Sequence, residues 1–118
     1  MSNFLFLQTQ WPDIFETAQE AEMQVYRFTK SSTLMCRAAM EQMIKWMYDN
    51  DGDLQLPEGP TLEAMMYHPS FKVVVHLESI INELTVIRKQ GNAVAHKNKR
   101  ISPADGVANI KYLFRFAS

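Results

Sequence analysis

A helical repeat of apolar residues in the second half of the chain limits its fold more than any other sequence feature. The pattern runs from about Val73 or Val74 to His96. At about 100° per residue, one helix face carries five small or apolar residues: Ile80, Leu84, Ile87, Gly91 and Val94. Such a stripe predicts an amphipathic helix that packs against other helices. Gly91 has no side chain, so it lets another helix approach closely.

Helical patterns cover most of the remaining chain. A first helix is predicted from near Pro12, a second from about Thr33 to Tyr48, a short one over 61–67 and a last one from Ser102. The stripe of the first helix comprises Ile14, Ala18, Ala21, Val25 and Phe28. The second is apolar nearly all round, which is typical of a central helix.

The segments between these helices predict where each helix starts. Thr29-Lys30-Ser31-Ser32 interrupts the apolar pattern, and Ser31 or Ser32 is a candidate cap for the second helix. The run Val73-Val74-Val75 has strand propensity but no partner strand elsewhere. The fold class is therefore predicted to be all-α, a single bundle of about four to five helices.

Composition narrows the class of protein. The chain has 118 residues, 47% of them hydrophobic, and a net charge of −1. One globular domain is expected, and the charge argues against a stand-alone nucleic-acid binder. Cys36 is the only cysteine, so neither a disulfide framework nor a cysteine zinc site is expected. No apolar run approaches membrane-spanning length, and the start lacks the basic residues of a signal peptide. A cytoplasmic protein is predicted.

The last six residues, Leu113 to Ser118, remain helical and apolar in pattern. They contain no glycine or other terminating signal. We therefore expect residues 1–118 to be one domain that is a piece of a longer polypeptide.

Three polar residues spaced four apart, Arg88, Asn92 and His96, form a slanting line beside the apolar stripe. An imidazole can transfer a proton near neutral pH, and a guanidinium can hold a phosphate. The three residues are thus candidates for metal-independent RNA cleavage. The favoured alternative is structural. In it, Arg88 pairs with Glu41 or Glu22 inside the bundle, while Asn92 and His96 cap backbone groups.

Arg37 and Glu41 lie one turn apart within the apolar arc of the second helix. They are either a partly exposed pair of small energetic value or a buried pair that needs further polar partners. In the buried case, Arg37→Ala should be strongly destabilising. The members of the predicted structural network are Glu22, Arg37, Glu41, Arg88, Asn92 and His96.

Lys97, Lys99 and Arg100 form a basic loop after the long helical pattern. They are either cations placed favourably at a helix C-terminus or phosphate contacts for DNA or RNA. No aromatic residue is interleaved with them, so no base specificity is expected. His68 and His76 have no metal ligand at suitable spacing, and no metal site is predicted.

Three separated blocks together resemble a known family. They are Ser2 to Leu7 with Trp11-Pro12 and Ala21-Glu22; Arg37 with Glu41, Trp46 and Tyr48; and Ile87-Arg88, Gly91-Asn92 and His96 before a basic loop. In order and spacing they resemble the N-terminal helical domain of type I restriction enzyme R subunits and of related restriction-type helicases. The resemblance covers nearly the whole chain.

The resemblance implies that the full subunit continues into a nuclease domain and an ATP-driven helicase motor, which translocate and cut DNA with ATP and magnesium. No Walker lysine or nuclease carboxylate cluster lies in these 118 residues. The resemblance therefore implies an accessory domain that binds no cofactor itself, and that docks to other subunits of the restriction complex or contacts DNA.

The same domain distantly resembles the HEPN ribonucleases, which carry an Arg followed at close spacing by His. Asn92 and His96 match the second half of that pattern. Gly91 stands where the arginine is expected, and seven residues separate Arg88 from His96. A ribonuclease of this type would use Arg88, Asn92 and His96 across the interface of a homodimer.

Overall fold

The computed structural model describes residues 2–118, and within them it contains helices but no strand. A 3-10 turn, Leu5–Leu7, precedes six helices: α1 (Pro12–Gln24), α2 (Thr29–Asn50), α3 (Leu62–Tyr67), α4 (Pro69–Val75), α5 (Glu78–Lys97) and α6 (Pro103–Ala117). The all-α prediction is confirmed. The number of helices exceeds the predicted four to five. The reason is that α4 and α5 are separate helices where the sequence predicted one long helix.

Helix α2 is central, as its nearly continuous apolar pattern predicts. It packs against α1, α3, α5 and α6. Its buried side chains are Ser32, Thr33, Cys36, Ala39, Met40, Met43 and Ile44. Neighbours on several sides leave little of this helix in water, which is why its sequence has no wide polar face.

The start of α2 differs from the prediction. Thr29 to Ser32 were expected to break the helix, yet α2 begins at Thr29 and neither serine caps it. Ser32 is buried, and its hydroxyl donates a 2.6 Å hydrogen bond to the carbonyl oxygen of Ala21 in α1. Because this bond satisfies the hydroxyl, the serine is stable inside the helix. Phe28 was placed on the stripe of α1, but α1 ends at Gln24 and Phe28 is exposed.

The predicted long helix is interrupted at His76, which has φ 68°. Helix α4 ends at Val75 and α5 begins at Glu78. Phe71 of α4 and Ile80 of α5 are both buried. In a straight helix, nine residues rotate by about 900°, so these two side chains would point in opposite directions. The break allows both side chains to enter the core.

The apolar stripe of α5 is buried as predicted, with all five of its residues inside. Gly91 meets the side chain of Arg37 in α2, and a Cβ built on Gly91 would lie 2.6 Å from Arg37 Cδ. The close approach expected at Gly91 is confirmed. At the start of α6, the Ser102 hydroxyl accepts a hydrogen bond from the Asp105 amide at 3.2 Å, which confirms the predicted cap.

The N-terminal arm packs on the bundle through Phe4 and Leu7, which are buried, while Leu5 and Phe6 are exposed. The Asn3 amide donates a 3.1 Å hydrogen bond to the carboxylate of Glu22 in α1. Within residues 2–118, every helix is too short or too polar to cross a lipid bilayer.

Candidate nucleic-acid interface

Arg88 points from α5 toward α3 rather than toward the predicted carboxylates. Its guanidinium lies 5.7 Å from the ring centroid of Tyr67, and Nη1 is 3.8 Å from the Glu63 carboxylate. Only 12% of the side chain is exposed. Glu41 instead forms an ion pair with Lys45 at 3.1 Å. The predicted pairing of Arg88 with Glu41 or Glu22 is therefore wrong.

Arg37 does not join a polar network either. Its aliphatic carbons lie on Gly91, and its Nε is buried without a hydrogen-bond partner among the described residues. Because Gly91 leaves room on α5, the Arg37 stem follows that surface. Glu41 meets the exposed Lys45 one turn further along α2. The partly exposed i,i+4 ion pair is thus formed by Glu41 with Lys45 and not with Arg37.

Arg88 and His96 are not brought together within one copy of the chain. Eight residues of helix separate them by about 12 Å along the axis and by about 80° around it. His96 is exposed and Asn92 is half-buried. The carbonyl groups at the end of α5 are bonded by backbone amides and not by the predicted side chains of Asn92 and His96. The amides of Asn98 and Lys99 donate to Val94 and Ala93 at 3.1 and 3.2 Å, with Asn98 in the left-handed conformation.

Cations from two distant segments come together where the α5–α6 loop reaches the start of α2. Arg27, Lys30 and Arg100 line one concavity, and Lys97 and Lys99 flank in sequence the Asn98 that Lys30 contacts. We call these cations the cationic cluster: Arg27, Lys30, Lys97, Lys99 and Arg100. Lys30 Nζ donates hydrogen bonds to Asn98 at 2.8 Å to Oδ1 and 3.4 Å to the carbonyl oxygen. Arg100 lines the same shallow concavity as Arg27 and Lys30. The predicted basic loop therefore belongs to a larger surface, and sequence analysis missed Arg27 and Lys30.

The cationic cluster carries no carboxylate partner among residues 2–118. The ion pairs found there join Lys45 to Glu41, Arg88 to Glu63 and Arg115 to Glu83. Four of the five clustered side chains are exposed and Lys30 is half-buried. Although the whole chain has a net charge of −1, this surface is locally positive. A concentration of unpaired cations attracts anionic ligands.

One exposed aromatic residue, Phe28, lies at the cluster, and a second, Tyr26, adjoins Arg27 in sequence. Phe28 lines the concavity with Lys30 and Arg100, and its ring lies 5.4 Å from the Arg27 guanidinium. Phe28 is 56% exposed and Tyr26 is 75% exposed. No aromatic residue is interleaved with the basic loop in sequence, because Phe28 comes from a segment about 70 residues earlier. The alternation Tyr26-Arg27-Phe28 was the signal that could have identified this second half of the surface.

A second depression on the surface contains His68 and Ser70, whose contact caps the start of α4. His68 Nδ1 lies 2.8 Å from Ser70 Oγ and also accepts a hydrogen bond from the Ser70 amide at 3.1 Å. His68 thus caps α4. Asp51, Asp53 and His76 line the same depression. Across residues 2–118, no three or more His, Cys, Asp or Glu side chains are grouped as metal ligands.

Three titratable groups have shifted pKa values: Cys36, Tyr48 and Tyr67. Burial raises the pKa of Tyr48, although a hydrogen bond with Ser70 acts in the opposite direction. Burial raises the pKa of the Cys36 thiol to about 12. Burial also raises the pKa of Tyr67, but the Thr85 hydroxyl and the positive charges of Arg88 and Lys89 lower it more, and the net shift is downward. The Tyr67 hydroxyl lies 2.6 Å from Thr85 Oγ1. Either oxygen can donate in this contact, and a Thr85 hydroxyl that donates to the phenolate favours ionisation of Tyr67.

Comparison with known proteins gives no match, whether to a family model, to a curated protein or to a solved structure.

Proposed function

We propose that this chain is a cytoplasmic, non-catalytic accessory domain of a type I restriction enzyme R subunit, and that it contacts DNA. The single observation that carries DNA contact is the cationic cluster, where Arg27 and Lys30 meet Arg100 at one concavity beside the rest of the basic loop. Within residues 2–118 none of these cations has a carboxylate partner. The parent subunit would supply the ATP- and magnesium-dependent cutting, and other subunits of the complex would be further partners.

The sequence blocks behind this family proposal have packing roles in the bundle. Gly91 receives the stem of Arg37, and Arg88 covers the Tyr67 ring. Trp11 and Trp46 pack edge to face with centroids 5.2 Å apart. These contacts support a role of the shared residues in holding α1, α2, α3 and α5 together, which suits an accessory domain.

Contact with DNA through this surface would be electrostatic. Ammonium and guanidinium groups neutralise backbone phosphates and release condensed counterions, so affinity falls as salt rises. Each neutralised phosphate contributes about −0.9 to the slope of log affinity against log salt on duplex DNA. Such contacts position a protein on DNA without selecting a sequence.

The ribonuclease alternative uses Arg88, Asn92 and His96. Within one copy, Arg88 and His96 are about 12 Å apart along α5, so this activity needs a second copy to complete the site. No cleavage of labelled RNA is expected from the purified protein at any concentration. Cleavage that is lost in both Arg88→Ala and His96→Ala would favour the ribonuclease instead.

Fluorescence anisotropy with a short labelled DNA duplex, over a series of salt concentrations, tests DNA contact. The variant Lys97→Ala/Lys99→Ala/Arg100→Ala removes three clustered cations. A matched control, Lys45→Ala/Lys72→Ala/Lys111→Ala, removes three exposed cations elsewhere. We expect the first variant to bind about tenfold or more weakly with a flatter salt slope, and the control to bind nearly as wild type. Equal losses in the two variants would contradict the proposal.

A further inference from the structure

We propose that the cationic cluster and Phe28 form a binding site for single-stranded nucleic acid, in which a base stacks on the Phe28 ring while neighbouring phosphates meet the cations. This inference rests on the proposed function and specifies its ligand.

Phe28 is an exposed aromatic residue beside the cationic cluster. The residue is 56% exposed, and within residues 2–118 its ring forms no pair with another aromatic ring. Its close polar neighbour is the Arg27 guanidinium, 5.4 Å from the ring centroid. An aromatic ring beside unpaired cations is the combination that binds single strands, because every base has a π-face that can stack.

The backbone holds Phe28 in place before any ligand binds. Its amide donates to the Gln24 carbonyl at 2.8 Å, and its carbonyl accepts from the Ser32 amide at 2.9 Å. The first bond ties Phe28 to the end of α1 and the second to the start of α2. Because the backbone of Phe28 is already bonded to both helices, it loses little conformational freedom when a ligand binds, which favours affinity.

The concavity provides the phosphate contacts next to the ring. Arg27, Lys30 and Arg100 line it together with Phe28. Lys30 is held in position by Asn98, and Lys97 and Lys99 flank that asparagine in sequence. A strand with one base on Phe28 thus meets cations from both segments.

This arrangement distinguishes single strands from duplexes. In a duplex the bases are stacked on one another, so the Phe28 ring has no base to cover it, and only the phosphates contribute. In a single strand the ring adds stacking to the electrostatic term. The surface should therefore bind single strands more tightly than duplexes of the same length. Stacking on one phenyl ring is available to DNA and RNA bases alike.

Anisotropy titrations with labelled oligo(dT), oligo(rU) and a DNA duplex of equal length test this inference on the wild-type chain. Four variants accompany it: Phe28→Ala, Phe28→Leu, Phe28→Tyr, and the control Phe6→Ala, which removes another exposed ring, 49% accessible. Circular dichroism confirms that each variant is folded. Phe28→Leu serves as the second variant if Phe28→Ala does not fold.

We expect Phe28→Ala and Phe28→Leu to weaken oligo(dT) binding by about tenfold, with little change for the duplex. Phe28→Tyr keeps an aromatic ring and should bind as wild type, and so should Phe6→Ala. If oligo(dT) is bound tightly and oligo(rU) weakly, the ligand is DNA. The reverse outcome identifies RNA.

The two proposals fail in different ways. If Phe28→Ala leaves oligo(dT) binding unchanged while the triple cation variant loses duplex binding, this inference is wrong and the proposed function stands. The same conclusion follows if the wild type binds neither oligo(dT) nor oligo(rU) more tightly than the duplex. If no nucleic acid binds at low salt, both the proposed DNA contact and the single-strand site are wrong.

Discussion

The stem of Arg37 lies directly on Gly91, where α2 and α5 cross. A Cβ added to Gly91 would lie 2.6 Å from Arg37 Cδ and 2.9 Å from Arg37 Cβ. Glycine in a helix interior costs about 1 kcal/mol relative to alanine. The close crossing explains why this helix contains a glycine despite that cost.

Gly91→Ala should destabilise the fold. Arg37 Cβ is fixed to the backbone of α2, so relieving the 2.9 Å contact requires the two helices to shift. Overpacking of this kind costs about 1–3 kcal/mol, which offsets the better helix propensity of alanine. The measurement is the urea midpoint. Gly52→Ala is the control, since nothing lies within 4 Å of a Cβ there. A higher midpoint for Gly91→Ala would contradict the packing argument.

Arg37→Met should leave stability unchanged or raise it. Methionine keeps the methylene contact with Gly91 and deletes the Nε that is buried without a partner. Removing an unsatisfied polar group is near neutral or stabilising when its shape is kept. Arg37→Ala should lose about 1–2 kcal/mol through the void it leaves, less than a broken buried ion pair would cost. Equal losses in both variants would indicate that the guanidinium is bonded in solution.

His76→Gly should stabilise the protein by roughly 1 kcal/mol, because φ 68° is disfavoured for a residue with a Cβ. Glycine reaches that region freely, and the His76 amide can still donate to the Lys72 carbonyl at 3.0 Å. The shift in thermal midpoint measures the effect. His76→Ala keeps the Cβ and serves as control. If His76→Gly were less stable than the wild type, contacts of the imidazole would be what stabilises the interruption between α4 and α5.

Cys36 should react very slowly with a thiol reagent at pH 8 in the native protein. Its thiol is buried and its pKa is about 12, so almost no thiolate is present. In denaturant the reaction should consume one thiol per chain. Because burial raises the pKa above the usual 9.0, the unfolded chain loses its proton first as pH rises. The stability linked to Cys36 is therefore complete below pH 9.0 and is lost toward pH 12. Fast native labelling would indicate frequent local opening of α2.

Tyr67 should ionise below the ordinary tyrosine pKa of 10.0 and Tyr48 above it. Difference absorbance titrations of the wild type against Tyr67→Phe and Tyr48→Phe isolate each phenol. Since the folded state favours the Tyr67 phenolate, the stability linked to it grows as pH rises and is lost as pH falls through the folded pKa. Arg88→Met removes one of the cations that lower this pKa and should raise it. An unchanged Tyr67 midpoint in Arg88→Met would exclude that electrostatic contribution.

The sequence predicted those features that depend on local periodicity. The all-α class, the central α2, the buried stripe of α5 and the Ser102 cap follow from spacing and capping chemistry. The break at His76 has no such signal, because neither glycine nor proline marks it. It arises from the need to bury Phe71 and Ile80 together.

Candidate site residues were less predictable because their partners come from other helices. Arg88 could be identified as a polar residue beside an apolar stripe, but its contact with Glu63 depends on where the short α3 packs. Lys97, Lys99 and Arg100 formed a visible basic loop, whereas Arg27 and Lys30 joined it only through the fold.

The bond from Lys30 to Asn98 joins segments 68 residues apart, so the cationic cluster exists only while the chain is folded. In the unfolded chain the same charges are dispersed and attract an anion far less. A polyanion that occupies the cluster therefore binds the native state preferentially and stabilises it by RT ln(1 + [L]/Kd). Under the proposed function, heat tolerance would depend on ligand concentration, and nucleic acid would protect this domain from unfolding.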